Sequence, residues 1–276
     1  AALMRLTVPA HGTRWLTLAP GAAADMPEAA ADAPRIEGRV LSNGLLTARW
    51  GVEGISVGGW DLRLQLMDDP TDTWSHSARN RFDGEKIRDV AFQEPEPIEA
   101  GPLRAAWLAR GTDPAPMVWW RASLAAGALR LHARLAVTWG EIRRRLRLRV
   151  TAPGVIRWRT DLVAGGPLSR EADGLEYPLG GGMWIESAGG RLGIVAPDVF
   201  SASVEETAVN LTLLRSPYVA HHDPAPAGVP ADGPVCDQGR HVFEFELLVG
   251  RDANSADVAR RARELSAPPL VWDLTG

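Results

Sequence analysis

The chain has 276 residues, with 30 Lys+Arg against 34 Asp+Glu and a formal net charge of −4, so its overall charge attracts neither nucleic acid nor an anionic membrane. No apolar run approaches the ~20 residues of a bilayer span, and the first residues do not resemble a secretory signal, so we expect a soluble protein. The single cysteine, Cys236, leaves no intrachain disulfide or cysteine-cluster metal site, which favours a reducing, cytoplasmic compartment.

Residues 1–34 are expected to form short N-terminal strands and a connector. Strands are predicted on either side of the turn Pro9–Gly12, through Leu6–Val8 and Trp15–Leu18. An alanine-rich stretch with acidic and proline interruptions follows, which is typical of an exposed linker. Residues 35–276 are predicted to form one large domain.

From residue 35 onward, short runs of alternating apolar and polar residues are separated by turns. Asn43-Gly44 lies between two such runs and is a strong hairpin signal. Leu62, Leu64 and Leu66 alternate with polar residues in a later strand, and similar runs recur about every 8 to 12 residues. This spacing predicts an all-β fold, a large antiparallel β-sandwich.

Only Asn254–Leu265 has helical spacing. Ser255 is expected to be its N-cap, and Val258, Ala259 and Ala262 form one apolar stripe. A single helix excludes a fold in which strands and helices alternate.

An arginine-rich strand is predicted near the middle of the chain. Leu146, Leu148 and Val150 should face inward, and their neighbours Arg145, Arg147 and Arg149 should face outward. We interpret the outer side as a solvated face whose arginine stems cover apolar surface, since nucleic-acid binding fits the net charge poorly. Glu141, just before this strand, is interpreted as a structural acid paired with an arginine.

Eleven tryptophans are unusually many for a chain of this length. Trp119 and Trp120 are adjacent in a predicted strand, so one should face the core and the other should face outward. Five others are expected to be core residues rather than sugar platforms: Trp50, Trp60, Trp107, Trp139 and Trp158.

Two glycine-containing segments predict particular backbone geometry. Gly180–Gly182 is followed by neither a helix start nor a Lys-Ser/Thr pair, so it is not a phosphate-binding loop. Glycines before a strand instead favour a bulge or a close backbone approach. Asp237–Gly239 is predicted to be a turn because its glycine can adopt a positive φ.

That turn joins two strands near the C-terminal end. Leu211, Leu213 and Arg215 fall on one side of a period-2 pattern, until a proline ends the strand. The segment is therefore predicted to be a mostly buried strand that places an arginine at its rim. Val242–Val249 returns as its partner in one β unit.

Six motifs occur along the chain in a characteristic order: VPAHGTRWLTL, LSNGLLTARWG, DTWSHS, WGEIRRRLRL, NLTLLRSPY and DQGRHVFEFEL. Together they resemble the C-terminal β-sandwich of glycoside hydrolase family 38, the zinc-dependent α-mannosidases. The resemblance implies a galactose-mutarotase-like supersandwich. It also implies a partner, the N-terminal α/β barrel that holds zinc and the carboxylates of a retaining mechanism. Because the chain has neither that barrel nor its ligands, we expect it to be non-catalytic and to contain no cofactor of its own.

The same resemblance indicates where a mannose-containing glycan would bind. Asp72, Trp74 and His76 provide a carboxylate, a stacking platform and an imidazole in one loop, a set suited to holding a sugar. The alternative, that Asp72 and His76 satisfy each other structurally, stays open. Arg215 is expected to reach the rim of the parent enzyme's active site, or else to form an ion pair at its strand end.

His221-His222-Asp223 matches the zinc-binding His-x-Asp pair of that family by letters only. The family's pair ends a strand of the barrel, whereas these residues lie in a proline-rich segment. We therefore assign them no metal.

Two other functions remain possible on the same architecture. A stand-alone enzyme resembling aldose epimerases would need a histidine acid and a carboxylate base in one groove, for which His132 with Glu176 or Glu244 are the candidates. A lectin-like module would instead bind carbohydrate through exposed tryptophans. Mutarotase activity would distinguish the first alternative, and glycan binding without turnover would distinguish the second.

Overall fold

The computed structural model describes residues 6, 8, 12–17, 33–51, 53–71, 84–217, 234–250, 254–268 and 270. Its elements are β1 (Arg35–Glu37), β2 (Val40–Ser42), β3 (Thr47–Gly51), β4 (Gly54–Val57), β5 (Trp60–Asp68), β6 (Lys86–Asp89), β7 (Glu96–Ala100), β8 (Arg104–Arg110), β9 (Met117–Ala125), β10 (Arg130–Trp139), β11 (Arg144–Thr151), β12 (Ile156–Val163), β13 (Gly166–Ser169), β14 (Glu176–Pro178), β15 (Gly181–Ser187), β16 (Gly190–Ala196), β17 (Ser201–Glu205), β18 (Ala208–Arg215), β19 (Gly239–Val249) and α1 (Ser255–Ser266).

The strands form two antiparallel sheets. The ten-stranded sheet has the order β1-β2-β3-β4-β5-β11-β18-β17-β14, with β6 also paired to β5. The nine-stranded sheet has the order β13-β12-β15-β16-β19-β10-β9-β8-β7. This arrangement confirms the predicted all-β sandwich with one short helix. The two C-terminal strands predicted to form one β unit, β18 and β19, lie instead in different sheets.

The core lies between the sheets and is built by strand alternation. On β11, Leu146 and Leu148 are buried, and their Cα partners on β5 are the equally buried Leu66 and Leu64. Since complete burial of one such side chain contributes about 1.5–3 kcal/mol, the inner faces determine the pairing register. We call the side of each sheet that is turned away from the other sheet its outer face.

The predicted β2–β3 hairpin is present and is tied to the opposite sheet. Gly44 has a φ of 79°, which glycine adopts at little cost. The buried Asn43 amide accepts hydrogen bonds from the backbone N–H groups of Leu45 (3.1 Å) and Leu46 (2.8 Å). Its Nδ2 donates to two carbonyls of the β9–β10 turn, each at 2.8 Å. The turn residue therefore connects the two sheets.

Most tryptophans lie where the pattern placed them. Four of the five expected in the core are buried: Trp50, Trp60, Trp107 and Trp139. Trp120 is also buried, 5.7 Å from Trp50 between ring centroids in an edge-on contact, and Trp119 is half-buried on the outer face. The prediction for Trp158 is wrong, because its side chain is 57% exposed.

Helix α1 covers part of the outer face of the nine-stranded sheet. Val258 and Ala262 pack against Leu162, Val195 and Leu248, which form a second apolar cluster outside the main core. The predicted apolar stripe is thus confirmed, and it explains why this end of the sheet is apolar on both faces.

The helix begins one residue earlier than expected. Asn254, not Ser255, is the N-cap: its Oδ1 accepts hydrogen bonds from the backbone N–H groups of Ala256 (2.9 Å) and Asp257 (3.1 Å). Asparagine caps as well as serine does, so sequence preference alone does not distinguish the two positions.

The predicted close backbone approach occurs under this helix. A Cβ on Gly193 would lie 2.7 Å from a methyl of Val258, and a Cβ on Gly182 would lie 2.3 Å from the carbonyl oxygen of Ile194. Only glycine lets the helix approach the sheet this closely.

The described part of residues 1–34 does not support the predicted N-terminal strands. Residues 12–17 contain no strand, and Trp15 is exposed, so the strand expected through Trp15 is not found there. Most of residues 1–34 lie outside the described residues, and the division at residue 34 stays a prediction. Among the residues that the structure describes, no helix has the length and apolar character needed to cross a bilayer.

Candidate functional site

A β-bulge in β18 places Arg215 on the outer face of the ten-stranded sheet. Leu214 and Thr212 pair with successive residues of β11, so Leu213 is an extra residue. Leu211 and Leu214 therefore both pack in the core, while Thr212 and Arg215 both lie on the outer face. The predicted strict alternation through Leu211, Leu213 and Arg215 is wrong because of this one residue.

Arg215 is held at its strand end by a buried carboxylate. Its Nε donates to Oδ2 of Asp69 at 2.8 Å, and its Nη2 donates to Oδ1 of Asp69 at 3.2 Å and to Oγ1 of Thr71 at 2.5 Å. Asp69 is only 1% exposed. The backbone N–H of Arg215 donates to Oδ2 of Asp237 at 3.0 Å. The ion pair that we considered for Arg215 is therefore present, and it fixes the guanidinium in one orientation.

Beside Arg215 lies an open cleft of about 260 Å³. Its lining includes an aromatic ring, two carboxylates and two hydroxyl groups: Phe200, Asp198, Asp237, Ser201 and Thr212. Phe200 follows β16 and is 73% exposed. An exposed ring beside fixed polar groups can stack on the apolar face of a sugar while the polar groups bind its hydroxyls.

Glu176 lies behind the cleft as a buried acceptor. Oγ1 of Thr212 donates to its Oε1 at 2.6 Å, and the hydroxyl of Ser201 donates to the same oxygen. Both hydroxyls also line the cleft, so Glu176 orients them. Glu176 was considered above only as a catalytic base, and no sequence signal indicated this supporting role.

The neighbouring arginines form a half-buried row on the same face. Arg145 is only 3% exposed, and burial lowers its pKa to about 10, an effect that the nearby Glu176 partly offsets. Burial, followed by the charge of Arg149, also lowers the pKa of Arg147, whose Nε donates to Oε1 of Gln65 at 2.9 Å. The predicted orientation of the three arginines is confirmed. The predicted solvated face is wrong at Arg145, because the outer face buries charge.

Carboxylates balance this row at its edges. Burial would raise the pKa of Glu205, but the charge and hydrogen bond of Arg149 outweigh it, so the pKa lies below its ordinary value. At Asp89, burial is likewise outweighed by hydrogen bonds from Lys86 and Gln65, and the pKa is again lowered. The outer face is thus an ordered polar network rather than a set of independent surface charges.

Three predicted binding residues, Asp72, Trp74 and His76, lie outside the described residues, as do His221, His222 and Asp223. Asp69 and Thr71, immediately before the first group, are the residues bonded to Arg215. The structure therefore brings Arg215 to the start of the predicted loop.

The candidate acid–base pair of His132 and the arginine partner expected for Glu141 are the remaining side-chain predictions. His132 Nε2 lies 3.4 Å from Oε2 of Glu244, as one candidate pair required, but both are on the outer face of the nine-stranded sheet and neither lines the cleft. Glu176 belongs to the other sheet. Glu141 forms no ion pair among the described residues; its carbonyl oxygen accepts a hydrogen bond from Gln238 at 2.9 Å.

The resemblance places the zinc in the partner domain, and the described donor groups of this chain form no zinc site of their own. No three His, Cys, Asp or Glu side chains come together as a metal site within the described part of the chain. These residues do not fit a zinc ion, and no step proposed below involves one.

Phe200 and Asp198 were not identified from the sequence. They lie in the short connection between β16 and β17, where periodicity carries no information about side-chain direction. A lone aromatic residue in a turn is not a signal by itself, since single exposed apolar side chains are normal on protein surfaces.

No protein-family model and no curated protein sequence matches the chain. Among solved structures, the chain is similar to a protein in glycosyl hydrolase family 38 from Enterococcus faecalis, with a TM-score of 0.68 and 11% identity, over 86% of this chain and 33% of that one. An α-mannosidase from Enterococcus faecalis V583 gives a TM-score of 0.68 and 11% identity, over 86% of this chain and 32% of that one.

A galactose mutarotase related enzyme from Lactobacillus acidophilus aligns over 79% of this chain and 99% of that one, with 10% identity and a TM-score of only 0.41. The fold is therefore related to that of the family 38 proteins, about a third of whose length this chain spans. At 11% identity the likeness concerns the fold alone.

Proposed function

We propose that this chain is the non-catalytic C-terminal β-sandwich of an α-mannosidase-like glycoside hydrolase. In this role it packs on a zinc-dependent catalytic domain and contributes to the binding of mannose-containing glycans. The fold likeness to family 38 proteins supports the proposal, because it extends over 86% of this chain but only 33% of the first protein compared. The one observation that carries the binding role is the cleft beside Arg215.

The cleft has the groups that a pyranose needs. The exposed ring of Phe200 offers a flat apolar surface to the C–H groups of a sugar. The carboxylates of Asp198 and Asp237 can accept hydrogen bonds from neighbouring hydroxyls. Because Asp69 already orders the guanidinium of Arg215, a ligand would not have to supply that ordering free energy.

Calorimetric titration of the chain with α-1,2-mannobiose tests the binding role. The Phe200→Ala variant should bind about tenfold more weakly, a change of about 1.4 kcal/mol, because it removes the stacking surface. Phe200→Tyr keeps the ring and should bind like the unaltered chain. The matched control is Phe92→Ala, which removes a buried ring that packs on Trp50 and Trp120 rather than lining the cleft, and it should affect stability rather than affinity. A folded chain that binds no α-mannoside would contradict the proposal.

The catalytic part of the proposal has a separate test. With zinc added, the chain alone should not hydrolyse p-nitrophenyl α-mannoside, since the bond-breaking groups are assigned to the other domain. Turnover comparable to that of a complete α-mannosidase would overturn this assignment. The coding sequence upstream of Ala1 provides the test of the partner: it should encode an α/β barrel in which a strand ends in His-x-Asp.

A cytoplasmic location is also part of the proposal. The sole cysteine, Cys236, allows no intrachain disulfide, which is typical of proteins in reducing compartments. Fractionation of the source cells with an antibody against the chain would test it.

A further inference from the structure

Trp158 is exposed because β12 contains its own bulge. The pairing register with β15 shifts between Ile156 and Trp158, so Arg157 is an extra residue. Ile156 packs in the main core, and Trp158 would follow it inward in a regular strand. The extra residue instead turns the indole to the outer face of the nine-stranded sheet, where 57% of it is exposed.

The indole is the first member of a row that crosses three strands. Trp158 on β12 lies directly opposite Glu186 on β15, and Glu186 lies directly opposite Arg191 on β16. Adjacent strands are about 4.8 Å apart, so the three side chains leave the same face at regular intervals. The aromatic ring, carboxylate and guanidinium thus form one surface, which we call the Trp158 platform.

The charged members of the platform are already ordered. Arg191 Nε donates to Oε2 of Glu186 at 3.1 Å, and the Arg191 guanidinium carbon lies 5.8 Å from the centroid of the Trp184 ring. Glu186 and Arg191 keep 35% and 42% of their side chains exposed, so both remain accessible to a ligand. A ligand would meet fixed polar groups next to an open ring.

We propose that the Trp158 platform is a second carbohydrate-binding surface, which takes the internal units of a neutral polysaccharide. The C–H face of a pyranose would stack on Trp158. Its hydroxyls would donate to the carboxylate of Glu186 and accept from the guanidinium of Arg191. Because the platform is an open sheet surface rather than a pocket, it suits a chain that continues in both directions.

Two observations favour a neutral saccharide over other ligands. The paired charges of Glu186 and Arg191 give the platform no net positive charge, and the chain has a formal net charge of −4, so neither attracts a nucleic acid or another anionic polymer. The apolar part of this outer face that borders Trp184 is already covered by α1, so the exposed Trp158 ring has charged groups beside it rather than the broad apolar patch of a protein interface.

The first test follows Trp158 directly in the unaltered sequence. The full chain is labelled with 5-fluorotryptophan, and the Trp158→Phe variant assigns the Trp158 resonance in the ¹⁹F NMR spectrum. Soluble α-mannan should shift or broaden that resonance and leave the core indole of Trp107 unaffected. The response should persist in the Phe200→Ala variant, so failure of the cleft and failure of the platform are distinguishable. An unmoved Trp158 resonance with mannan, dextran and xylan would overturn the proposal.

The second test measures affinity by electrophoresis in gels that contain soluble α-mannan. The affinity for mannan, obtained from the retardation, should fall about tenfold in Trp158→Ala, because a stacking aromatic residue is removed. It should fall less in Glu186→Gln. Trp119→Ala is the matched control, since it removes a half-buried indole from another part of the same outer face, and it should leave retardation unchanged. Equal losses in both tryptophan variants would overturn the proposal. A dimer that dissociates in Trp158→Ala, without any response to polysaccharide, would instead identify a protein contact.

Discussion

Two regions on the outer faces of the sheets, one around Arg215 and one around Trp158, differ in how they use charge. On the ten-stranded sheet, arginines and carboxylates are buried together around Arg145, Glu176 and the pair Arg215–Asp69. On the nine-stranded sheet, the face around Trp158 is open, and its ion pair Arg191–Glu186 stays in solvent. The first region holds its charges in a buried network, whereas the second presents an ordered but solvent-exposed ion pair beside an open ring.

Both faces owe their arrangement to one extra residue in a strand. Leu213 shifts the pattern of β18 so that Thr212 and Arg215 share the outer face. Arg157 shifts the pattern of β12 so that Trp158 leaves the core. A bulge reverses every later side chain in its strand relative to strict alternation, so one residue decides where a functional group is presented.

The largest difference between the faces should appear when a buried partner is removed. Asp69→Ala leaves the guanidinium of Arg215 largely buried without its carboxylate, so we expect the free energy of unfolding to fall by about 3–5 kcal/mol. Glu186→Ala breaks an exposed pair and should cost at most about 1 kcal/mol. Urea unfolding of both variants gives the two values. Equal losses would mean that the ten-stranded face is not a buried network.

A smaller effect should follow from loss of the Thr212 hydroxyl, which donates a hydrogen bond to Glu176. Thr212→Val keeps the shape of the side chain but removes one of two hydroxyl donors to a buried carboxylate, and we expect a loss of about 1–2 kcal/mol. Thr138→Val, on the outer face of the other sheet, should change the free energy of unfolding by no more than about 0.5 kcal/mol. If the two variants unfold at the same urea concentration, Glu176 does not depend on Thr212.

The charged network also predicts how stability depends on pH. The pKa values of Glu205 and Asp89 are lowered in the folded chain, so both carboxylates bind protons more weakly when folded than when unfolded. Their contribution is therefore present above the unfolded pKa and is lost as pH falls through the lowered folded pKa. Urea unfolding between about pH 6 and pH 3 should show this loss. The slope should be smaller in the double variant Glu205→Gln/Asp89→Asn, and an unchanged slope would contradict the assignment.

The sandwich could be predicted from the sequence because strands alternate apolar and polar residues in a regular pattern. Alternation identified the core leucines of β5 and β11, and Asn43-Gly44 identified a hairpin. Arg215 was identified at the rim of its strand, but its partner Asp69 is distant along the chain, and no local pattern links the two residues.

The failures share a physical cause. A bulge is an insertion into the alternation that no residue type indicates, so Arg215 and Trp158 were both assigned to the wrong side of their strands. The burial of Arg145 was missed because an outward-facing arginine is normally solvated. Phe200 lies in the connection between β16 and β17, where neither the strand nor the helix pattern of apolar residues applies.

The smallest effect on stability is expected for Trp158→Ala, and it tests whether the exposed indole on the outer face of the nine-stranded sheet has a structural role. Trp158→Ala removes an indole that makes little use of the core, so the free energy of unfolding should change by no more than about 0.5 kcal/mol. Trp120→Ala removes an equally large ring from between the sheets, where it packs edge-on against Trp50, and should cost about 3–5 kcal/mol. Urea unfolding followed by far-ultraviolet circular dichroism compares the two without relying on tryptophan fluorescence. A large loss in Trp158→Ala would show that this indole stabilises the fold. Its exposure would then be incidental rather than a feature that the Arg157 bulge presents for binding.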